Sequence, residues 1–355
     1  MKIGTFTFLV ALLCLTYSCE TKVDLVAEGE ESPIVYGFID ATTDTQFVKI
    51  TKSFITEGNA FQGAMDPSLS EYEDLDAYIV EYDGSDSVNA FMLKEKTITN
   101  KDSGVFYYPV QTVYYTDEIG FGESNDPRYD HTFEIAFTGS GKDVSSKTDV
   151  LHPFVPSNTV LLSKVRLVTF FDPAGSNYTN LNLVVNQQEN AKRYEFTLRF
   201  HYVEHYIDGT FEDKYLDFLV DDWITDGLSG NESQDMTIKG EEFFQRLANR
   251  IAAQDNEENV TKRVIRDCDY IFEYAGFDLN TYIELNQPAT SFNSEQNPYS
   301  NITNGVGVWS ARGASVYEKE IEIKTIQEIA LGQYTFMYKF CSDDPGHTDQ
   351  PYGCN

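Results

Sequence analysis

Apolar positions along most of this chain recur with a period of two. Between Gln46 and Phe54, Phe47, Lys49 and Thr51 alternate with Val48, Ile50 and Lys52, the spacing that sends successive side chains to opposite faces of a strand. Ile34 to Ile39 reads the same way, and Asp40 to Thr45 supplies the turn between them. Gly58 to Glu73, with Gly58, Gly63 and Pro67, reads as a loop-like insertion. Strands resume at Asp76 to Tyr82, turn at Asp83-Gly84-Ser85, and continue through Ala90 to Lys94, Phe106 to Tyr115 and His131 to Phe137. Short strands with turn signals at this spacing predict a β-sandwich over residues 33–150. Asp149 to Pro156, which contains Pro153, reads as a linker or crossing strand.

The second half predicts a β-rich (α+β) domain over 157–340. Val165 to Phe171, Leu181 to Val185 and Arg193 to Tyr206 read as strands, with a turn at Ile207-Asp208-Gly209. Phe243, Phe244, Leu247 and Ile251 form one apolar stripe at helical spacing, so one clear helix is expected at Gly240 to Ala253. Asp269 to Phe277, Tyr282 to Leu285, Val316 to Ile323 and Gly332 to Phe340 read as further strands, the last two closing the domain. The expected fold is mainly β, with that helix packed over a sheet.

The first residues follow a different pattern. Met1 and Lys2 are followed by a largely apolar run from Ile3 to Leu15 and then Thr16-Tyr17-Ser18-Cys19. A positive start, a short apolar core and a small residue before the cut make a secretory signal over residues 1–18. The run falls short of the about 20 apolar residues needed to span a bilayer. A cysteine directly after Ser18 resembles a bacterial lipobox, in which the thiol is acylated and becomes the first mature residue. Cys14 fits less well, because Leu13 before it is large. Two or more acyl chains at Cys19 would hold the protein on a membrane, whereas one binds only reversibly. Residues 19–32 then read as a polar tether, and Glu20 and Asp24 within it favour the cell-surface side of the outer membrane.

Charge narrows the partners. Lys and Arg total 26 against 57 Asp and Glu, a net charge of −31. A field of that sign repels nucleic acid and favours solubility, cations and basic partners. At 41% hydrophobic, with 23 Tyr and 25 Phe, the chain can bury a sizeable core. Apart from Cys14 and Cys19, the cysteines are Cys268, Cys341 and Cys354. Cys341 and Cys354 bracket a short loop and are expected to form a disulfide that closes a tail at 341–355, leaving Cys268 as a free buried thiol.

The segments Ile34 to Asp40, Val48 to Ile55 with Glu57 to Ala60, and Asn297 to Val308 resemble a family of Bacteroidota lipoproteins of unknown function. The resemblance covers nearly all of the mature chain, and it implies an accessory role at the cell surface, since members are often encoded beside outer-membrane TonB-dependent transporters. The Cys341 to Cys354 tail departs from the family pattern. No catalytic residue carries over.

Candidate chemistry is sparse. His201-Tyr-Val-Glu204-His205 is a literal HxxEH, the string with which some zinc peptidases place two histidines and a general base around one metal. Those enzymes carry it on a helix. On a strand His201, Val203 and His205 share one face and Glu204 takes the other, with the histidines about 13 Å apart, too far to share zinc. As an exposed strand position, Glu204 would tolerate Gln with less than about 0.5 kcal/mol of change. Asp343, Asp344, His347 and Asp349 could offer oxygens to Ca²⁺ but lack EF-hand spacing. Asp208, Glu212, Asp213, Asp217, Asp221 and Asp222 form an acidic patch. No nucleophile elbow, P-loop or dinucleotide fingerprint is present, so no cofactor or metal is expected. Paired aromatics such as Tyr107-Tyr108, Tyr114-Tyr115 and Phe170-Phe171 put one ring in the core and one outside. Asp86-Ser87-Val88 resembles an O-glycosylation acceptor, with Ser87 the candidate residue. The expected function is a non-enzymatic accessory subunit of an outer-membrane transporter or assembly complex. A glycan-binding or adhesive protein, for which Trp223 and Trp309 are the only tryptophan platforms, is the alternative, and an envelope hydrolase comes third.

Overall fold

The computed structural model describes residues 30–354 except 57–58, 123–125, 155–167, 173, 175–176, 231, 255–256 and 287–298. Cys19, the leader and residues 19–29 of the tether lie outside the described residues, as do residues 165–167 of the strand expected at 165–171.

The protein is mostly β, as expected. The first 150 residues form β1 (Pro33–Asp40), β2 (Gln46–Lys52), β3 (Ala77–Asp83), β4 (Asp86–Met92), β5 (Lys94–Ile98), β6 (Gln111–Thr116), β7 (Thr132–Gly139) and β8 (Lys142–Asp149). Two short helical turns, α1 (Ala60–Gly63) and α2 (Pro67–Ser70), lie in the insertion read as a loop. The remainder forms β9 (Leu181–Asn186), β10 (Ala191–Tyr206), β11 (Phe211–Ile224), β12 (Ser233–Ile238), α3 (Gly240–Ala252), β13 (Val260–Gly276), α4 (Phe277–Leu285), β14 (Val306–Lys319), α5 (Ile323–Leu331) and β15 (Phe340–Cys341).

A four-stranded sheet ordered β4-β3-β7-β8 packs against part of a larger sheet ordered β11-β10-β13-β14-β1-β2-β6-β5, in which β15 also pairs with β13. Between them, Val35, Val48, Ile50 and Tyr114 from the larger sheet meet Ile79, Phe133 and Ile135 from the smaller. Trp309 of β14 is buried in this core, and its Nε1 donates to the Phe133 carbonyl across the sandwich at 2.9 Å. Its indole lies beside Gly37, its register partner on β1, where a Cβ would come within 2.8 Å of the ring. Because β14 pairs in parallel with β1, the large sheet continues across the division expected between 33–150 and 157–340.

The second core lies on the other half of that sheet. Phe196, Phe200, Tyr270 and Phe272 point from β10 and β13 toward Phe243, Phe244, Leu247 and Ile251 of α3. Burying side chains of this size contributes about 1.5–3 kcal/mol each. The first helical residue is glycine because a Cβ there would lie 2.2 Å from the Thr179 carbonyl oxygen.

Several sequence expectations are corrected. Of the strand expected at Phe106 to Tyr115 only Gln111 onward enters β6, and of the one expected at Val165 to Phe171 the described residues Val168 and Phe171 form isolated bridges only. The single-helix reading misses α4 and α5, both nine residues long. Tyr282 to Leu285 is helical, and between Gly332 and Phe340 only Phe340 enters a strand, after a 3-10 turn at Phe336–Tyr338. Helices this short are marginal alone and take their stability from packing. The N-terminus of α5 is capped by Glu322, which accepts from the Lys324 and Thr325 amides, and its Ile329 and Ala330 are buried. Leu279 N in the first turn of α4 donates to Ser310 Oγ of β14 at 3.1 Å. Finally, the acidic patch contains an unforeseen 14-residue strand, β11. It is the edge of the large sheet, where charged side chains discourage further pairing. Among the described residues no helix is long and apolar enough to cross a membrane.

Candidate functional site

The HxxEH string lies on β10, as its aromatic and β-branched surroundings predict. His201 Nε2 meets Asp269 Oδ2 of β13 at 2.8 Å, and the His205 ring lies 5.7 Å from that of Phe211. Glu204 is on the opposite face, but the expectation of an exposed position is overturned: its side chain is fully buried. Arg263, its register partner on β13, is equally buried and donates from Nε to Glu204 Oε1 at 2.8 Å. Arg263 Nη1 also donates to the Tyr338 carbonyl at 2.9 Å, and Tyr206 Oη donates to Glu204 Oε2 at 2.9 Å. Strand parity was readable from sequence, but the segment that covers this face, Tyr338 and Lys339, is distant in the chain. The string is therefore part of a buried ion-pair network and does not bring its three side chains together. Among the described residues no group of three or more His, Cys, Asp or Glu side chains is arranged to hold a metal ion.

The tail loop is likewise internally engaged. Cys341 and Cys354 form a disulfide, and Cys268 is free and buried. Asp343 pairs with Arg266 Nη1 at 2.7 Å, Asp344 accepts from the Gly346 amide at 2.7 Å, and His347 Nδ1 lies 2.9 Å from Ser342 Oγ. The acidic patch of β11 is partly neutralised, since Asp217 pairs with Arg199 at 2.7 Å and Asp222 with Arg193 at 2.6 Å. Ser87 is exposed on β4, an edge strand of the smaller sheet. Neither tryptophan is an open platform: Trp309 is buried, and Trp223 stacks on Tyr194 with centroids 4.9 Å apart.

The outer face of the large sheet around β1, β2, β5 and β6 is different. Phe47 and Tyr115 stand opposite each other on β2 and β6, with ring centroids 6.0 Å apart. Lys96 on β5 holds its ammonium 5.6 Å from the Phe47 ring centre and 5.7 Å from that of Tyr115. Among the described residues it forms no ion pair. Lys94 flanks Tyr115 at 6.0 Å and pairs with Asp117 at 2.7 Å, and that hydrogen-bonded carboxylate raises its pKa. Across β1, Tyr36 lies opposite Lys49, and Arg312 lies 5.5 Å from the Phe38 ring while its Nε pairs with Asp40 at 3.1 Å. Tyr36, Phe38, Phe47, Lys49, Val113 and Arg312 line a groove of about 260 Å³.

The groove chemistry follows from its partly desolvated position. Burial lowers the pKa of Lys49, against the opposing pull of Glu71 at 3.3 Å. Burial and a hydrogen bond to Tyr282 push Tyr36 up to about 12. Lysines 49, 94 and 96 and Arg312 thus gather beside open aromatic rings on a chain of net charge −31. An ammonium over a ring contributes about 0.5–1 kcal/mol at an exposed site, and it leaves hydrogen-bond donors available to an incoming acceptor. Sequence reasoning missed this site because its residues come from five strands. The one available signal was Phe47, an aromatic on the otherwise polar face of β2. No known protein-family model matches the chain, and no curated protein is significantly similar to it.

Proposed function

We propose that the protein is a non-enzymatic lipoprotein on the cell-surface side of the bacterial outer membrane, acylated at Cys19, that serves as an accessory subunit of a β-barrel transporter or assembly complex. The observation that carries this reading is the groove on the outer sheet face. It combines exposed aromatic rings with Arg312, residue types enriched at protein interfaces, and with Lys96, whose ammonium would receive an acidic or carbonyl-rich segment of the partner. The remainder of the chain is strongly acidic, so this face supplies the local complementarity that orients a contact. The lipobox resemblance and the resemblance to Bacteroidota lipoproteins support the location.

The test is recovery of the native protein from detergent-solubilised outer membranes, with mass spectrometry of what accompanies it. A large outer-membrane protein should co-purify with the wild type and be lost with Phe47→Ala combined with Lys96→Glu. Recovery of the same partner by both forms would refute the role of the groove. The rings of Phe47 and Tyr115 also favour a second reading, stacking on a glycan. That reading requires oligosaccharide binding by the purified protein that Phe47→Ala abolishes.

A further inference from the structure

A second exposed surface lies where the chain enters the fold. The Ser32 amide donates to Ser53 Oγ at 2.8 Å, and the Ser53 amide donates to the Ser32 carbonyl at 2.9 Å. Registers place the start of β1, the end of β2, the end of β5 and the start of β6 along this same border of the sheet. Two loops leave it there. One follows β2 through α1, and the other joins β5 to β6. The Tyr107 amide donates to the Ala64 carbonyl at 2.9 Å and ties them together.

These joined loops expose an unusual share of apolar side chain. Phe61 is 68% exposed, Phe106 54%, Val105 51%, Ile55 45%, Met65 41% and Tyr108 40%. At the opposite ends of the same strands the turns are polar: Thr42, Thr43 and Asp44 follow β1, and Asp117 and Glu118 follow β6. A cluster of six exposed apolar side chains gathered on two joined loops marks an interaction surface.

We infer that this loop cluster is a membrane-contact surface, whose occupant is the lipid interface to which the chain is anchored. The inference rests on the proposal that Cys19 carries the anchor. Cys19 and Ser32 are 13 positions apart, a span of at most about 45 Å, so the anchored bilayer is held within reach of this end. Tethering makes the contact effectively intramolecular, and apolar contact too weak to recruit the protein can then orient it. Phe, Met, Ile and Val would enter the headgroup boundary, and Tyr108 suits the interface, where aromatic rings with one polar end concentrate. Lys101, 5.6 Å from the Phe106 ring centre, is long enough to reach headgroup phosphates. In this orientation the groove beside Phe47 runs along the side of the anchored molecule, where it can face another membrane protein.

The experiment couples the full mature chain through Cys19 to a maleimide lipid in phosphatidylethanolamine–phosphatidylglycerol vesicles. Cys268 is buried and the other two cysteines are bonded, so Cys19 is the reactive thiol. In Phe106→Trp, or Phe61→Trp as a second reporter should the first fail to fold, emission should shift to the blue and lose intensity with brominated lipids. Phe47→Trp, in the groove, should keep its emission. Unquenched reporters at 106 and 61, or equal quenching at 47, would overturn the inference. So would a reporter buried only in native membranes, which would assign the surface to a protein. Natural acylation is read separately from the mass of the N-terminal peptide, so failure of the anchor is distinguishable from failure of the contact.

Discussion

Replacing Glu204 with Gln separates a structural carboxylate from a catalytic one. Glu204 and Arg263 are both fully buried, 2.8 Å apart, and Tyr206 and the Tyr338 carbonyl join them in the network. Gln keeps the shape and one acceptor but removes the carboxylate charge that faces the buried guanidinium at 2.8 Å. Breaking a buried pair by neutralising one partner costs about 3–5 kcal/mol. For the 337 residues from Cys19 onward, an unfolding entropy of roughly 2.1 cal/mol/K per residue converts that cost into a fall in melting temperature of about 4–7 °C. Replacing both partners, Glu204→Leu with Arg263→Met, should recover most of the loss, because an apolar pair of similar volume carries no desolvation penalty. The assay is thermal and denaturant unfolding of wild type, both single variants and the double variant as a cycle. Glu204→Gln matching wild type would refute the buried-pair argument. Stoichiometric zinc that disappears with His201→Ala would restore the peptidase reading.

Four further outcomes are expected. Reducing the Cys341–Cys354 bond, whose residues are 13 apart in sequence, should cost roughly 3 kcal/mol at most, with the strand signal in circular dichroism retained; loss of the whole fold would refute this. Tyr36, Tyr178 and Tyr274 are each raised to about 12, chiefly by burial. Their raised values favour the neutral form in the fold, so the stability they contribute is intact below the unfolded value of about 10 and is lost as pH rises toward 12; phenolate absorbance showing every tyrosine ionising near 10 in the native protein would contradict it. Burial raises the Cys268 thiol well above its ordinary range, so it should resist alkylation until denaturant is added, and rapid labelling of the native protein would count against its burial. Cys19→Ala should release the protein from membranes or block its maturation, and quantitative retention in the outer membrane after a high-salt wash would refute the anchor.

The alternation of Val48 and Ile50 with Phe47 and Lys49, the α3 stripe and the strand character of His201 to His205 were legible because each depends on neighbours within one element. The short loop between Cys341 and Cys354 was legible for the same reason. Strand parity put Glu204 opposite the histidines but could not say which face would be covered. That was decided by Arg263 and the Tyr338 carbonyl, 59 and 134 positions along the chain. Likewise, Phe47, Lys96, Tyr115 and Arg312 belong to separate strands whose order, β14-β1-β2-β6-β5, leaves no local trace. The helices α4 and α5 were hidden because β-branched and aromatic residues at short spacing suit a strand equally well until packing selects one. The sequence alone determined a β-rich, strongly acidic chain, since composition and period are properties of consecutive residues. Tertiary structure decided which carboxylate is buried and which lysine meets two rings, because desolvation and ring contact arise only where distant strands pair.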